Sequence, residues 1–172
     1  MVEPTLALLL ADEQATCALG AAIADALISL TSAIEDAGMS IALVGELGSG
    51  KTAIVRALLR RLGIVGAVKS PTFALLEPYE VSSLHLYHFD FYRFKSPREF
   101  VESGFSEFFR PGSICLVEWP ERAGEYLPAA DLSIRMGILE SGRRAAIDAN
   151  TKIGEQCLDQ IRTTLKAVSA GD

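Results

Sequence analysis

The stretch Gly45-Glu46-Leu47-Gly48-Ser49-Gly50-Lys51-Thr52 fits the pattern G-x-x-x-x-G-K-[ST], and its reading decides the fold. Each residue type in it has a physical reason. Glycines let the backbone take positive φ, so that successive N–H groups turn onto one anion. A following helix aims its unsatisfied N-terminal donors and positive dipole end at the same point. Lys51 supplies a cation for the β- and γ-phosphates of a nucleotide, and the Thr52 hydroxyl a ligand for Mg²⁺. Glu46, Leu47 and Ser49 complete the nucleotide-binding loop. That mechanism demands a strand before the loop and a helix after it. The apolar run Ser40 to Val44 supplies the strand, and Lys51 to about Leu62, stopped by Gly63 and Gly66, supplies the helix.

Outward from this unit, Thr5 to Leu10 reads as a strand. Asp12-Glu13-Gln14-Ala15-Thr16 then opens one long helix, whose buried face is Leu19, Ile23, Leu27, Leu30 and Ile34, ended by Gly38. On the other side, Phe73 to Val81 and Leu84 to Phe91 flank Ser82-Ser83 as a hairpin. Pro97 starts a short helix to Glu102, and Ile114 to Glu118 is an apolar strand. Leu132 to Leu139 and Arg143 to Asp148 form a second hairpin around Ser141-Gly142. A closing helix, Lys152 to Val168, carries Ile153, Cys157, Ile161 and Leu165 at four-residue steps. With no repeat, low-complexity tract or linker, residues 1–172 read as a single α/β domain, P-loop NTPase-like, with a central mixed β-sheet flanked by helices.

Composition narrows the function. Hydrophobic residues make up 49% and charged ones 22%, a globular balance, so no disulfide or structural metal is needed at this length. The net charge of −6 disfavours unassisted binding to a nucleic-acid backbone, and Arg56, Arg60 and Arg61 read as a solvated helix face. Cys17, Cys115 and Cys157 are odd in number and widely spaced, which fits neither a disulfide framework nor a zinc site. Reduced cysteines, and a start at Met1 to Leu10 without a basic leader or long apolar core, predict a cytoplasmic protein.

A loop of this kind needs a carboxylate on the Mg²⁺ side, at the end of an apolar strand. Glu118, after Ile114-Cys115-Leu116-Val117, has that place. It would hold the metal directly or through water, or orient the attacking water. Glu121 lies three residues on. Asp90 is the second acidic candidate: strand alternation puts His88, Asp90 and Tyr92 on one face and Phe89 and Phe91 on the other. Ser70-Pro71-Thr72-Phe73 reads as a turn bearing two hydroxyls.

The order DEQAT (12–16), GELGSGKT (45–52), SPTF (70–73), HFDFYR (88–93) and VEWPE (117–121) resembles the bacterial TsaE family, formerly YjeE, over nearly the whole chain, and Gly142-Arg143 looks like that family's C-terminal hairpin. The resemblance implies an ATPase, weak by itself, that acts with TsaD and TsaB. The set sustains transfer of threonylcarbamoyl to adenosine 37 of ANN-decoding tRNAs, with tRNA met only through the complex. It further implies that Lys51 and Thr52 hold the phosphates and Mg²⁺. Glu118 would be a metal or catalytic carboxylate, Asp90 the essential aspartate, and Trp119 the aromatic beside the nucleotide. Glu13 to Thr16 would reach the adenine. Two other classes share the loop: a small-molecule kinase, which would leave phosphate on an acceptor, and a nucleotide-dependent binding module in which hydrolysis is incidental.

Overall fold

The computed structural model describes residues 6–169. The chain opens with strand β1 (Leu6–Leu10), so Thr5 of the predicted strand lies outside the described residues. Helix α1 (Glu13–Ser29) follows, capped where the Asp12 carboxylate accepts from Ala15 N at 2.8 Å. The predicted single helix is two: α2 (Thr31–Ala37) leaves α1 at 73°. The break is at Leu30, between two hydroxyl residues. Ser29 Oγ donates to Ala26 O and Thr31 Oγ1 to Ile28 O, each at 2.8 Å, side-chain bonds onto the last turn of the kind that bends helices. Ile34 is still buried, because the bend folds α2 back onto the sheet.

Strand β2 (Met39–Gly45) leads through the glycine loop to α3 (Lys51–Arg61). Strand β3 begins at Leu76, not at Phe73, and runs to Val81. Pro71 to Leu75 is a turn, closed by Leu75 N donating to Pro71 O at 2.6 Å with Leu75 at φ 68°. Phe73 is consequently 83% exposed. Strand β4 (Leu84–Asp90), the one-turn helix α4 (Glu99–Glu102), β5 (Ser113–Glu118), β6 (Leu132–Ile138), β7 (Arg143–Ala149) and α5 (Lys152–Ser169) complete the path. Pro97 precedes α4 instead of starting it and caps it through its carbonyl, which accepts from Phe100 N at 3.2 Å.

The seven strands make one mixed sheet in the order β1-β7-β6-β2-β5-β4-β3. Its middle, β6-β2-β5-β4, is parallel, and antiparallel strands close both sides. Loops at the carboxyl ends of parallel strands form the crevice where such sheets take ligands, and β2, β5 and β4 all end there. Alternation along β4 divides the core. Leu84 and Leu86 join the aliphatic cluster under α1 and α3, while Tyr87, Phe89 and Phe91 join an aromatic cluster with Phe94, Phe100 and Phe105. His88 and Asp90 therefore project on the side of the loop. Cys115 and Cys157 are core thiols, both pushed up to about 12 by burial, and Cys17 is exposed. No single described helix is long and apolar enough to cross a membrane.

The loop's helix is held against α1 by a close crossing at Gly20. A Cβ there would lie 2.6 Å from Ile54 O and 2.7 Å from Ala57 Cβ. Gly20→Leu should cost at least about 2 kcal/mol, since backbone must move to admit the side chain. A chemical-denaturation midpoint equal to that of the wild type would show the crossing to be looser than described.

Candidate functional site

The loop from Gly45 to Gly50 joins β2 to the first turn of α3. Glycine is required at Gly45 by crowding, since a Cβ would stand 2.6 Å from both Met136 O and Ser49 Oγ. At Gly50 it is required by φ 103°, which turns the loop into the helix. Lys51 is 4% exposed and folds back over the loop. Its Nζ donates to Gly45 O at 2.6 Å and Glu46 O at 2.9 Å, and stands 4.4 Å from the centre of the Trp119 ring. Burial pushes the Lys51 pKa below its ordinary value, against the opposing pull of Glu118, Asp90 and Glu121. This is a desolvated cation ready to meet an anion.

Register brings the acids together, because Glu118 is level with both Leu43 on β2 and Asp90 on β4. Thr52 Oγ1 donates to Glu118 Oε1 at 2.9 Å, with Oε2 at 3.1 Å. His88 Nε2 lies 2.8 Å from Glu118 Oε1, fully buried, and His88 Nδ1 has no partner among the described residues. An ionised carboxylate only accepts, so Nε2 is the donor in this contact. The described residues contain no group of three His, Cys, Asp or Glu that could hold a metal ion. The Thr52 hydroxyl and Glu118 carboxylate nevertheless form a hard oxygen pair. That donor set fits Mg²⁺, which usually takes one or two protein oxygens and completes its shell with phosphate and water.

Asp90, 3% exposed, gives one oxygen to the turn before β3 and the other to the backbone just after β4. Ser70 Oγ and Thr72 Oγ1 both donate to Oδ2, the latter at 3.4 Å, and Tyr92 N donates to Oδ1 at 2.9 Å. The SPT turn is thereby fixed at the rim of a cleft of about 460 Å³ lined by Gly48, Gly50, Lys51, Thr52, Ser70, Thr72, Asp90, Glu118 and Trp119. Trp119, at φ 58°, packs on Tyr92 with ring centres 4.9 Å apart.

Other predicted residues stand outside this lining. Glu46 contributes its carbonyl while its side chain is exposed, and Glu121 is exposed on the turn after Trp119. Glu13 is exposed in the first turn of α1. Thr16 is buried, its hydroxyl donating to Asp12 O at 3.2 Å. Sequence reasoning missed Arg143 as a cleft residue and the bond from His88 to Glu118, both products of strand pairing.

Comparison with known proteins identifies the family. A family model described as "Threonylcarbamoyl adenosine biosynthesis protein TsaE" matches residues 10–146. A tRNA threonylcarbamoyladenosine biosynthesis protein TsaE from Haemophilus influenzae is 34% identical over 147 residues, covering 86% of this chain and 91% of its own. Its namesake from Bacillus subtilis is 38% identical over 109 residues, 63% of this chain and 68% of its own. The crystal structure of Bacillus subtilis YdiB superposes with a TM-score of 0.72 at 27% identity, over 95% of this chain and 97% of that one. With a family match across the loop, both acidic strands and the second hairpin, the chain belongs to the TsaE family of threonylcarbamoyl adenosine biosynthesis proteins.

Proposed function

We propose that this chain binds ATP with Mg²⁺ in the cleft and hydrolyses it, as the nucleotide-driven component of the machinery that makes N6-threonylcarbamoyladenosine in tRNA. The observation that carries this reading is the contact of Thr52 with Glu118 directly beneath a glycine loop in which Lys51 is buried. The tRNA side of the reading is supported by the names of the relatives. Its partners would be TsaD and TsaB in the cytoplasm. An acidic chain would meet tRNA only within that complex.

The residues divide the work. Loop N–H groups and the start of α3 cradle the phosphates, and Lys51 exchanges two neutral carbonyls for charged phosphate oxygens. Thr52 and Glu118 would hold Mg²⁺, which when bound neutralises charge on the phosphates. His88 fixes the direction of the Glu118 carboxylate. Asp90 holds Ser70 and Thr72 at the rim, where their hydroxyls can order a water for in-line attack. The start of α1 follows β1, whose last residue, Leu10, pairs with Arg143. On this reading the segment Glu13 to Thr16 would be the part of the chain that meets the base.

The test is phosphate release from ATP by the purified chain, alone and with TsaB, TsaD and tRNA. Slow release that rises sharply in the complete set is expected. Lys51→Ala should weaken ATP binding about 100-fold, from loss of two charge-assisted bonds of about 1.5 kcal/mol each. Release indifferent to the partners, or phosphate recovered on a small acceptor, would overturn the proposal.

A further inference from the structure

The sheet ends on β3 at one side and on β1 at the other, and the two edges are built differently. An edge strand presents a row of unpaired backbone N–H and C=O groups, which proteins guard with charge or proline. Strand β3 has both: Pro78 has no N–H to donate, and Glu77 and Glu80 are exposed. Strand β1, Leu6 to Leu10, has neither. Among the described residues no strand pairs on its outer side, and Leu9 is 77% exposed.

A groove of about 500 Å³ runs beside this open edge, between β1 and the last turns of α5, lined by Leu6, Leu8, Arg162, Leu165, Lys166 and Ser169. A second hollow of about 420 Å³ carries it on past Leu8 to Asp12 and Gln14 at the start of α1. A strand edge with a helix alongside is an arrangement that accepts an added strand: main-chain bonds hold the newcomer, and alternate side chains enter the groove. The apolar lining between β1 and α5 is leucine, and the two charged side chains there, Arg162 and Lys166, are both cations. Arg162 has Asp159 beside it at 3.5 Å, so Lys166 is the simpler of the two to test. A second copy pairing edge to edge would bring against them only Leu6 to Leu10, a strand without an acid. The complement of this groove is an acidic strand.

We propose that the open edge of β1 is a docking site for a partner protein, which adds an extended segment as an eighth strand. Its apolar side chains pack on Leu6, Leu8 and Leu165, and an acidic one meets Arg162 and Lys166. The groove shares no lining residue with the cleft at the glycine loop, so the inference stands apart from the ATP reading.

The experiment titrates the full chain with the capped peptides ETVTVTT and TTVTVTE, which carry the acid at opposite ends and so serve either strand direction, and with their lysine twins KTVTVTT and TTVTVTK. Backbone amide shifts report where each binds. At least one acidic peptide should move the amides of β1 and of α5 from Arg162 onward, and bind roughly tenfold tighter than its lysine twin at low salt. Lys166→Glu should reverse that preference while leaving thermal unfolding and phosphate release from ATP unchanged. Binding of none of the peptides at millimolar concentration, shifts lying elsewhere, equal affinity for the acidic and lysine forms, or a preference untouched by Lys166→Glu would each overturn the proposal. Sedimentation of the chain alone adds one more outcome: a dimer in which the β1 amides gain protection would make a second copy the occupant, and the proposal would fall.

Discussion

Glu118→Gln is expected to bind ATP but to release phosphate at least 100-fold more slowly, with no loss of thermal stability. The substitution is nearly isosteric, and the site can absorb it. The amide oxygen keeps the bond from His88 Nε2, and the amide N–H₂ turns to Thr52 Oγ1, which as a hydroxyl can accept as well as donate. The alternative orientation would need His88 to carry its proton on Nδ1, a buried atom without a partner among the described residues, and is disfavoured for that reason. What disappears is one negative charge beside Thr52 at the place where hydrolysis redistributes charge. Preorganised groups of this kind contribute about 2.7–4 kcal/mol, or 10²- to 10³-fold in rate. Single-turnover hydrolysis together with a melting curve separates the two effects. Wild-type turnover in this variant would remove Glu118 from the reaction. A collapsed melting temperature would instead make it a structural anchor.

The parts of the fold that the sequence announces are those set by near neighbours. The glycine loop, its strand and its helix occupy consecutive residues, and alternation over residues 88–91 was enough to set His88 and Asp90 apart from Phe89 and Phe91. The break at Leu30 was hidden because Leu27, Leu30 and Ile34 keep helical spacing straight through it. Only the side-chain hydroxyls of Ser29 and Thr31 mark the change. The turn from Pro71 to Leu75 was hidden in the same way, since Phe73, Leu75 and Leu76 read as strand while Asp90, far along the chain, fixes the hydroxyls of Ser70 and Thr72. Partner choice was the least legible. Glu118 as a strand-end carboxylate follows from local pattern, but its bonds to Thr52 and His88 depend on which strands are neighbours. Arg143 reaches Gly48 across 95 positions because β7 pairs with β6 and β6 with β2. Motif spacing locates the chemistry, and sheet order decides what surrounds it.

Asp90→Ala should fail for a different reason and with a different signature. Asp90 accepts from Ser70, Thr72 and the Tyr92 N–H, and its own N–H donates to Leu75 O at 3.1 Å, so one residue ties both ends of the turn to β4. Hydrogen bonds to an ionised carboxylate contribute about 1.5–3 kcal/mol each. The freed hydroxyls border an open cleft and can take water, which leaves the Tyr92 N–H as the main uncompensated group. A net loss of about 2–4 kcal/mol follows, and for a chain of this size it lowers the melting temperature by roughly 5–15 °C. Turnover should fall at least about 100-fold, because the two hydroxyls no longer hold a fixed place at the rim. Hydrogen exchange localises the damage: amides from Ser70 to Leu76 and that of Tyr92 should lose protection, while those of α3 and β2 keep it. Asp90→Asn, with an amide oxygen still able to accept from Ser70 or Thr72, should recover part of the stability. If Asp90→Ala melts and exchanges like wild type but does not hydrolyse ATP, Asp90 acts on the nucleotide, metal or water directly. If exchange rises and the rate holds, the turn is only scaffolding. The expected result, loss of both with the loop helix intact, makes Asp90 the residue that positions the rim, as Glu118 is the one that carries its charge.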